Sequence, residues 1–156
     1  MLYLEADDGT RLCSNEWGTG KPVDFVSAWA LGGAMWEYQM GPLSEGGLRC
    51  IALDWRGHGR SEDPERGYGM DTLADDLASL MHQLDLGEVT LMVNSMGCFE
   101  IVRSLTRHGA GRIVRIEGGS AKTTSGVHDQ GFRPLKVSPH QEQDGKDQPS
   151  SQWSMV

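Results

Sequence analysis

The segment from Val89 to Cys98 constrains this chain more than any other. A mostly apolar run, Val89-Thr90-Leu91-Met92-Val93, stops at Asn94-Ser95, and a helical pattern begins at once behind it. A strand that hands over to a helix within so few residues must turn sharply. Such a turn exposes a serine hydroxyl at the end of a sheet. The usual pattern is G-x-S-x-G, whereas this chain reads Val93-x-Ser95-x-Gly97. The glycines exist because strand and helix backbones approach closely there. A valine at 93 puts a β-branched side chain at that contact. It predicts strain or a displaced turn, costing ~1–3 kcal/mol on the usual scale for overpacking.

The segments before this junction alternate between strand-like and helix-like patterns. Arg11 to Trp17 reads as a strand after the Asp8-Gly9 turn signal, and Val23 to Ser27 as a short strand. Met35 to Ser44 carries Trp36, Met40 and Leu43 at helical spacing and is stopped by Gly46-Gly47. Arg49 to Leu53 is another strand, and Arg56 to Ser61 must be a loop. Leu73, Leu77, Leu80 and Leu84 then fall on one helical stripe. Asp71 is the expected N-cap of that helix, with Asp75 and Asp76 near the positive end of its dipole. Glu88 to Val93 is a strand. Gly97 to His108 is a helix with Val102 and Leu105 inward, ended by Gly109. Arg112 to Ile116 alternates like a last strand. Strands alternating with helices imply an α/β fold: a mostly parallel sheet with helices on both faces. Sites in such sheets form at the carboxyl ends of the strands, so the loops after Ser27, Leu53 and Val93 matter most.

The chain has 156 residues, enough for one domain, and a formal net charge of −8. Nucleic-acid surfaces need clustered Lys and Arg, so that balance argues against one. No apolar run is long enough for a membrane span, and the N-terminus has no signal-peptide pattern. Cys13, Cys50 and Cys98 are scattered and odd in number. They fit free thiols in a reducing compartment, with the cytoplasm as the expected location.

Acyl transfer through serine needs a base for the hydroxyl proton, a group to orient the base, and donors for the oxyanion. The backbone N–H of Met96, just after Ser95, and that of Trp29, in the loop after the Val23 strand, are the candidate donors. Four stretches together resemble the α/β-hydrolase superfamily. They are Val26-Ser27-Ala28-Trp29-Ala30-Leu31 with Met35 to Met40, Arg49 to Ser61, Met70 to Leu77, and the Ser95 turn. They are most similar to the cofactor-free haloperoxidase branch, which includes perhydrolases and esterases. The resemblance covers about residues 1–116. It implies Ser95 as nucleophile, Trp29 and Met96 as the oxyanion hole, no metal or organic cofactor, and a small ester or carboxylic acid as the partner molecule. It also has departures: Ser27-Ala28 stands where the family has His-Gly, Val93-Asn94 where it has Gly-His, and Cys98 where a second glycine is common.

The family's acid and histidine follow the serine on later strands. His108 lies about 13 residues past Ser95 along one helix, or roughly 20 Å at 1.5 Å per residue, too far to be the base. His128 and His140, with Asp129, Glu142 and Asp144, fall in the polar stretch 117–156, which lacks any period of 2 or 3.6. Its few isolated apolar residues, Phe132, Leu135 and Trp153 among them, predict a disordered or loosely attached tail. The chain reads as a truncated α/β-hydrolase fold with an irregular C-terminal tail, as truncation or a frame shift near Glu117 would produce. It would be inactive as it stands, or would serve as a non-catalytic interaction module. The last strand would leave an open sheet edge, inviting self-association. Other motifs carry less. His58 between two glycines raises a metal or phosphate site, but a tight turn braced by Arg56 and Arg60 explains it better. No zinc pattern supports a metal. Gly18-Thr19-Gly20-Lys21-Pro22 fails the phosphate-loop spacing. Cys98, near a helix N-terminus, is read as a packing residue rather than a reactive thiol.

Overall fold

The structure is a computed structural model and describes residues 1–119. The expectations for the tail, including His128 and His140, lie outside the described residues. Six strands form one sheet: β1 (Leu2–Glu5), β2 (Arg11–Trp17), β3 (Lys21–Val26), β4 (Leu48–Leu53), β5 (Val89–Asn94) and β6 (Ile113–Gly119). Three α-helices accompany it: α1 (Glu37–Glu45), entered through a 3-10 turn at Gly33–Trp36, α2 (Met70–Gln83) and α3 (Gly97–His108).

The strand order is β1-β2-β4-β3-β5-β6. β1, β2 and β4 pair antiparallel, whereas β4, β3, β5 and β6 run parallel. From β3 the chain crosses over α1 to β4 on one side, then over α2 to β5 on the other. The order therefore reverses at β3, so the carboxyl ends of β3 and β5 form the switch point at which ligands bind in such sheets. Right-handed crossovers to opposite sides put the helices on opposite faces.

Period-2 alternation sorts the side chains accordingly. Val23, Phe25, Cys50 and Ala52 pack with Trp36 and Met40 on the α1 face. Val26, Ile51, Leu53, Leu91 and Val93 pack with Leu73, Leu77, Leu80 and Ile101 under α2 and α3. The leucine stripe of α2 is buried as its spacing predicts. On the α1 face, only α1 covers the sheet among the described residues. A groove of 470 Å³ remains beside it, lined by Val23, Leu43, Leu48, Met92 and Val114 among others.

Several local expectations need correction. Leu2–Glu5 forms a strand that its short, tyrosine-containing sequence did not announce. The cap of α2 is Gly69 rather than Asp71, with no side-chain cap. Asp71 instead pairs with Arg103 and Arg107 across α3, and Asp75 pairs with Arg107 and His108. These are exposed pairs of small energetic weight. On α3, Val102 points outward at 58% exposure, and the inward positions are Glu100, Ile101 and Ser104, flanked by Leu105. Cys98 is exposed rather than a buried packing residue. β6 runs from Ile113 to Gly119, past the strand end expected at Ile116.

Candidate active site

β5 ends at Asn94, Ser95 and Met96 make the turn, and α3 starts at Gly97. Ser95 is exposed and has φ of 51°, the left-handed conformation that a sharp strand-to-helix turn demands of its apex. A non-glycine residue pays for that conformation in strain, and such strain collects at functional positions. Val93 is accommodated within the core beside this turn. Val93 is 2% exposed, and in register it faces Gly118 of β6. A Cβ added at Gly118 would meet a Val93 methyl at 3.3 Å. The missing glycine of the motif is offset by a glycine on the neighbouring strand. Gly97 is needed where it stands: a Cβ there would lie 3.0 Å from the carbonyl oxygens of Val26 and Ser27. The start of α3 therefore rests directly on the end of β3.

That contact sets the end of β3, from which the Trp29 loop departs, against the start of α3. Val26 and Val93 are register partners, so the segments leaving β3 and β5 start side by side. Ser27 is fully buried, and its hydroxyl accepts the Trp36 indole N–H at 3.2 Å. Trp29 lies beyond it at 47% exposure, tilted against Trp55 with ring centroids 6.0 Å apart. Among the described residues, neither the Trp29 N–H nor the Met96 N–H donates a hydrogen bond to the protein. Both predicted oxyanion donors are thus uncommitted, one of them at the start of a helix, where N–H groups lack intrahelical partners.

The loop after β4 is held by buried ions. The Arg56 side chain is fully buried and makes a bidentate pair with Asp76 of α2, both bonds at 2.7 Å. It also bonds Asp8 at 2.7 Å. Those bonds hold the Asp8 carboxyl well below the usual range, while burial pushes Asp76 up against the pull of Arg56. Arg56 therefore braces this loop as expected. Arg60 contributes through its backbone, donating to Asp54 Oδ2 at 3.0 Å. His58 sits between Gly57 and Gly59, which adopt φ of 72° and 55°. A Cβ on Gly59 would collide with the Asp54 carboxylate, so this turn requires glycine.

Among the described residues, no histidine stands behind Ser95 as a base. His108 is at the far end of α3, bonded to Asp75 at 2.7 Å. Both His58 nitrogens are occupied by backbone groups, with Nδ1 3.0 Å from the Arg56 carbonyl and Nε2 3.1 Å from the Ala30 nitrogen. No group of three or more His, Cys, Asp or Glu able to hold a metal occurs among the described residues. No helix there is long and apolar enough to cross a membrane.

Two buried acids escaped the sequence reading. Asp24, on β3, is fully buried with neither carboxyl oxygen bonded, and burial pushes it up to about 7. Glu100, on α3, is 1% exposed with an unpartnered Oε2, and burial together with Asp24 and Asp76 pushes it well above the usual range. A carboxylate inside the apolar run Val23 to Val26 was the available signal for Asp24.

Residues 21–113 match the family described as alpha/beta hydrolase fold. The non-heme chloroperoxidase CPO-A1 of Kitasatospora aureofaciens is 41% identical over 147 residues, covering 87% of this chain and 53% of its own length. That coverage exceeds the share residues 1–119 make up, so the similarity runs past Gly119. The bifunctional esterase/perhydrolase DCH of Acinetobacter calcoaceticus is 33% identical over 110 residues, 69% of this chain and 40% of its own length. An esterase from Exiguobacterium antarcticum superposes with a TM-score of 0.74 at 35% identity, covering 77% of this chain and 45% of that one. A bromoperoxidase from Bacillus anthracis gives 0.73 at 37%, covering 78% and 45%. The chain spans about half the length of the curated relatives it matches. With a serine at a strained strand-to-helix apex on a sheet of this order, and a family match over most of its folded length, the chain belongs to the α/β-hydrolase family.

Proposed function

We propose that Ser95 is the nucleophile position of an acyl-transfer site for small esters or carboxylic acids. In that reading the Ser95 hydroxyl oxygen attacks the carbonyl carbon, and the carbonyl oxygen gathers charge between the N–H groups of Trp29 and Met96. Collapse expels the alcohol of an ester, or water from a carboxylic acid, which departs with the proton lost from serine, and an acyl-serine remains. Water then releases the acid, or hydrogen peroxide releases a peracid. No metal or organic cofactor takes part. The observation that carries this reading is the left-handed φ of 51° at exposed Ser95, beside two uncommitted backbone donors. Such donors are worth roughly 2.7–4 kcal/mol each in a complete site. Esterase and perhydrolase relatives support the substrate class.

The described residues supply neither a base nor an acid to orient it, and we read the chain as inactive in turnover on its own. With p-nitrophenyl acetate, at most one equivalent of nitrophenol per chain is expected, and none above background from Ser95→Ala. Sustained turnover that depends on Ser95 would contradict the missing base.

A second, non-catalytic reading is favoured by the sheet edge. β6 pairs only with β5 among the described residues, and Val114 on it is 54% exposed next to the groove by Met92. Open edges template pairing with other strands. Self-association through β6 is the proposed outcome, seen as a concentration-dependent dimer in sedimentation velocity; a monomer at all concentrations would contradict it. The buried Cys13 and Cys50 and the exposed Cys98, all free, support a reducing, cytoplasmic location.

A further inference from the structure

Ala30 adopts φ of 65°, a conformation a non-glycine residue holds only where its surroundings impose it. Its N–H donates to His58 Nε2 at 3.1 Å. His58 Nδ1 lies 3.0 Å from the Arg56 carbonyl oxygen. A carbonyl can only accept, so Nδ1 carries the proton and Nε2 offers its lone pair to Ala30. The ring also stands edge-on to Trp29, with centroids 5.0 Å apart, and to Trp55 at 6.1 Å. His58 is itself fixed from below. Its N–H bonds the Trp55 carbonyl at 2.8 Å, and the Arg56 side chain beside it is pinned to Asp76 and Asp8. The same loop reaches the other end of the Trp29 segment, where Asp54 Oδ1 accepts the Gly33 N–H at 2.7 Å.

We infer that His58 is a positioning residue of the oxyanion loop: its Nε2 clamps the Ala30 N–H, fixing the Trp29–Ala30 peptide and with it the backbone at Trp29, whose own N–H is the proposed oxyanion donor. This assignment rests on the acyl-transfer reading for its purpose. With both ring nitrogens committed, His58 is neither base nor metal ligand. The clamp explains why an imidazole, rather than a plain turn residue, sits between Gly57 and Gly59. A benzene ring would keep the packing against Trp29 and Trp55 and lose the acceptor.

Two substitutions in the full chain separate packing from hydrogen bonding. His58→Phe keeps an aromatic ring; His58→Gln places an amide oxygen near the Nε2 position. Hydrogen exchange, followed by mass spectrometry on peptides covering 28–33, reads the clamp. Phosphonylation of Ser95 by a fluorophosphonate reads its purpose. His58→Phe is expected to raise exchange at Ala30 about fivefold, as loss of one hydrogen bond implies, with the urea midpoint unchanged. Its labelling of Ser95 should slow by a similar factor, and His58→Gln should restore both. Unaltered exchange in His58→Phe, or no recovery in His58→Gln, would overturn the clamp. A His58→Phe chain that is unfolded by near-ultraviolet circular dichroism would also overturn it, because His58 would then serve the fold. If the wild-type chain is not labelled while exchange behaves as expected, the acyl-transfer reading fails and takes the oxyanion purpose with it.

Discussion

Replacing Arg56 by methionine is expected to destabilise the chain by about 3–5 kcal/mol, the usual cost of leaving a buried charge without its partner. The cost arises mainly at Asp76. That carboxylate is 5% exposed at its side chain and loses both guanidinium bonds, whereas Asp8, at 48%, regains water. Domains of this size hold only about 5–15 kcal/mol in total, so the variant should sit near the folding threshold. The double variant Arg56→Met with Asp76→Leu removes both charges, and should recover most of the loss, because a buried pair often does no better than apolar residues of similar volume. Urea unfolding of the two variants decides the matter. A single variant within about 1 kcal/mol of wild type, or a double variant no better than the single, would show that the ion pair does not carry the β4–α2 loop.

Replacing Asp24 by valine should do the reverse and stabilise the chain, with a gain that grows with pH. Asp24 faces the α2 and α3 side of the sheet, between register partners Ile51 and Leu91, with no hydrogen-bond partner for either oxygen. Around it are Glu100 on α3 and Asp76 on α2, the latter held by Arg56, so carboxylates outnumber cations there. Its folded pKa of about 7 lies above the unfolded value near 3.8. Between the two the folded chain retains a proton that the unfolded chain has released, so stability falls as pH rises through that window. The shift of roughly three units corresponds to about 4 kcal/mol as an upper bound, at 1.36 kcal/mol per unit. The valine variant should therefore gain about 2–4 kcal/mol at pH 8, and about 2–3 kcal/mol less than that at pH 5. Urea unfolding at the two pH values checks it. An equal effect at both, or destabilisation at pH 8, would show that Asp24 is not a buried acid with a displaced pKa.

What the sequence disclosed was what short-range physics determines. The α2 stripe, the glycine-flanked His58 turn and the Ser95 junction are each written within about a dozen consecutive residues, where period and punctuation are readable. Features that depend on a distant neighbour were hidden. Val93 looked like an obstacle because its relief, Gly118, lies on the next strand, 25 positions away by residue number. Asp71 resembled a cap because Asx residues cap helices. Its actual partners, Arg103 and Arg107, are on another helix. Val102 fell on the expected periodic stripe, yet α3 turns Glu100 and Ser104 inward and leaves Val102 exposed. The role of His58 needed Ala30, 28 residues before it, and no spacing rule connects the two.

The central proposal is that Ser95 is a nucleophile position with the Trp29 and Met96 N–H groups as its oxyanion donors, although no described histidine serves it. Sites stripped of part of the triad still retain roughly 10³–10⁴-fold catalysis from the oxyanion hole and binding. A fluorophosphonate in excess, followed by peptide mapping, tests this most directly. Slow, stoichiometric phosphonylation at Ser95 is expected, with no adduct in that peptide from Ser95→Ala. Equal labelling of the two chains, or an adduct spread over other serines and absent from Ser95, would contradict it.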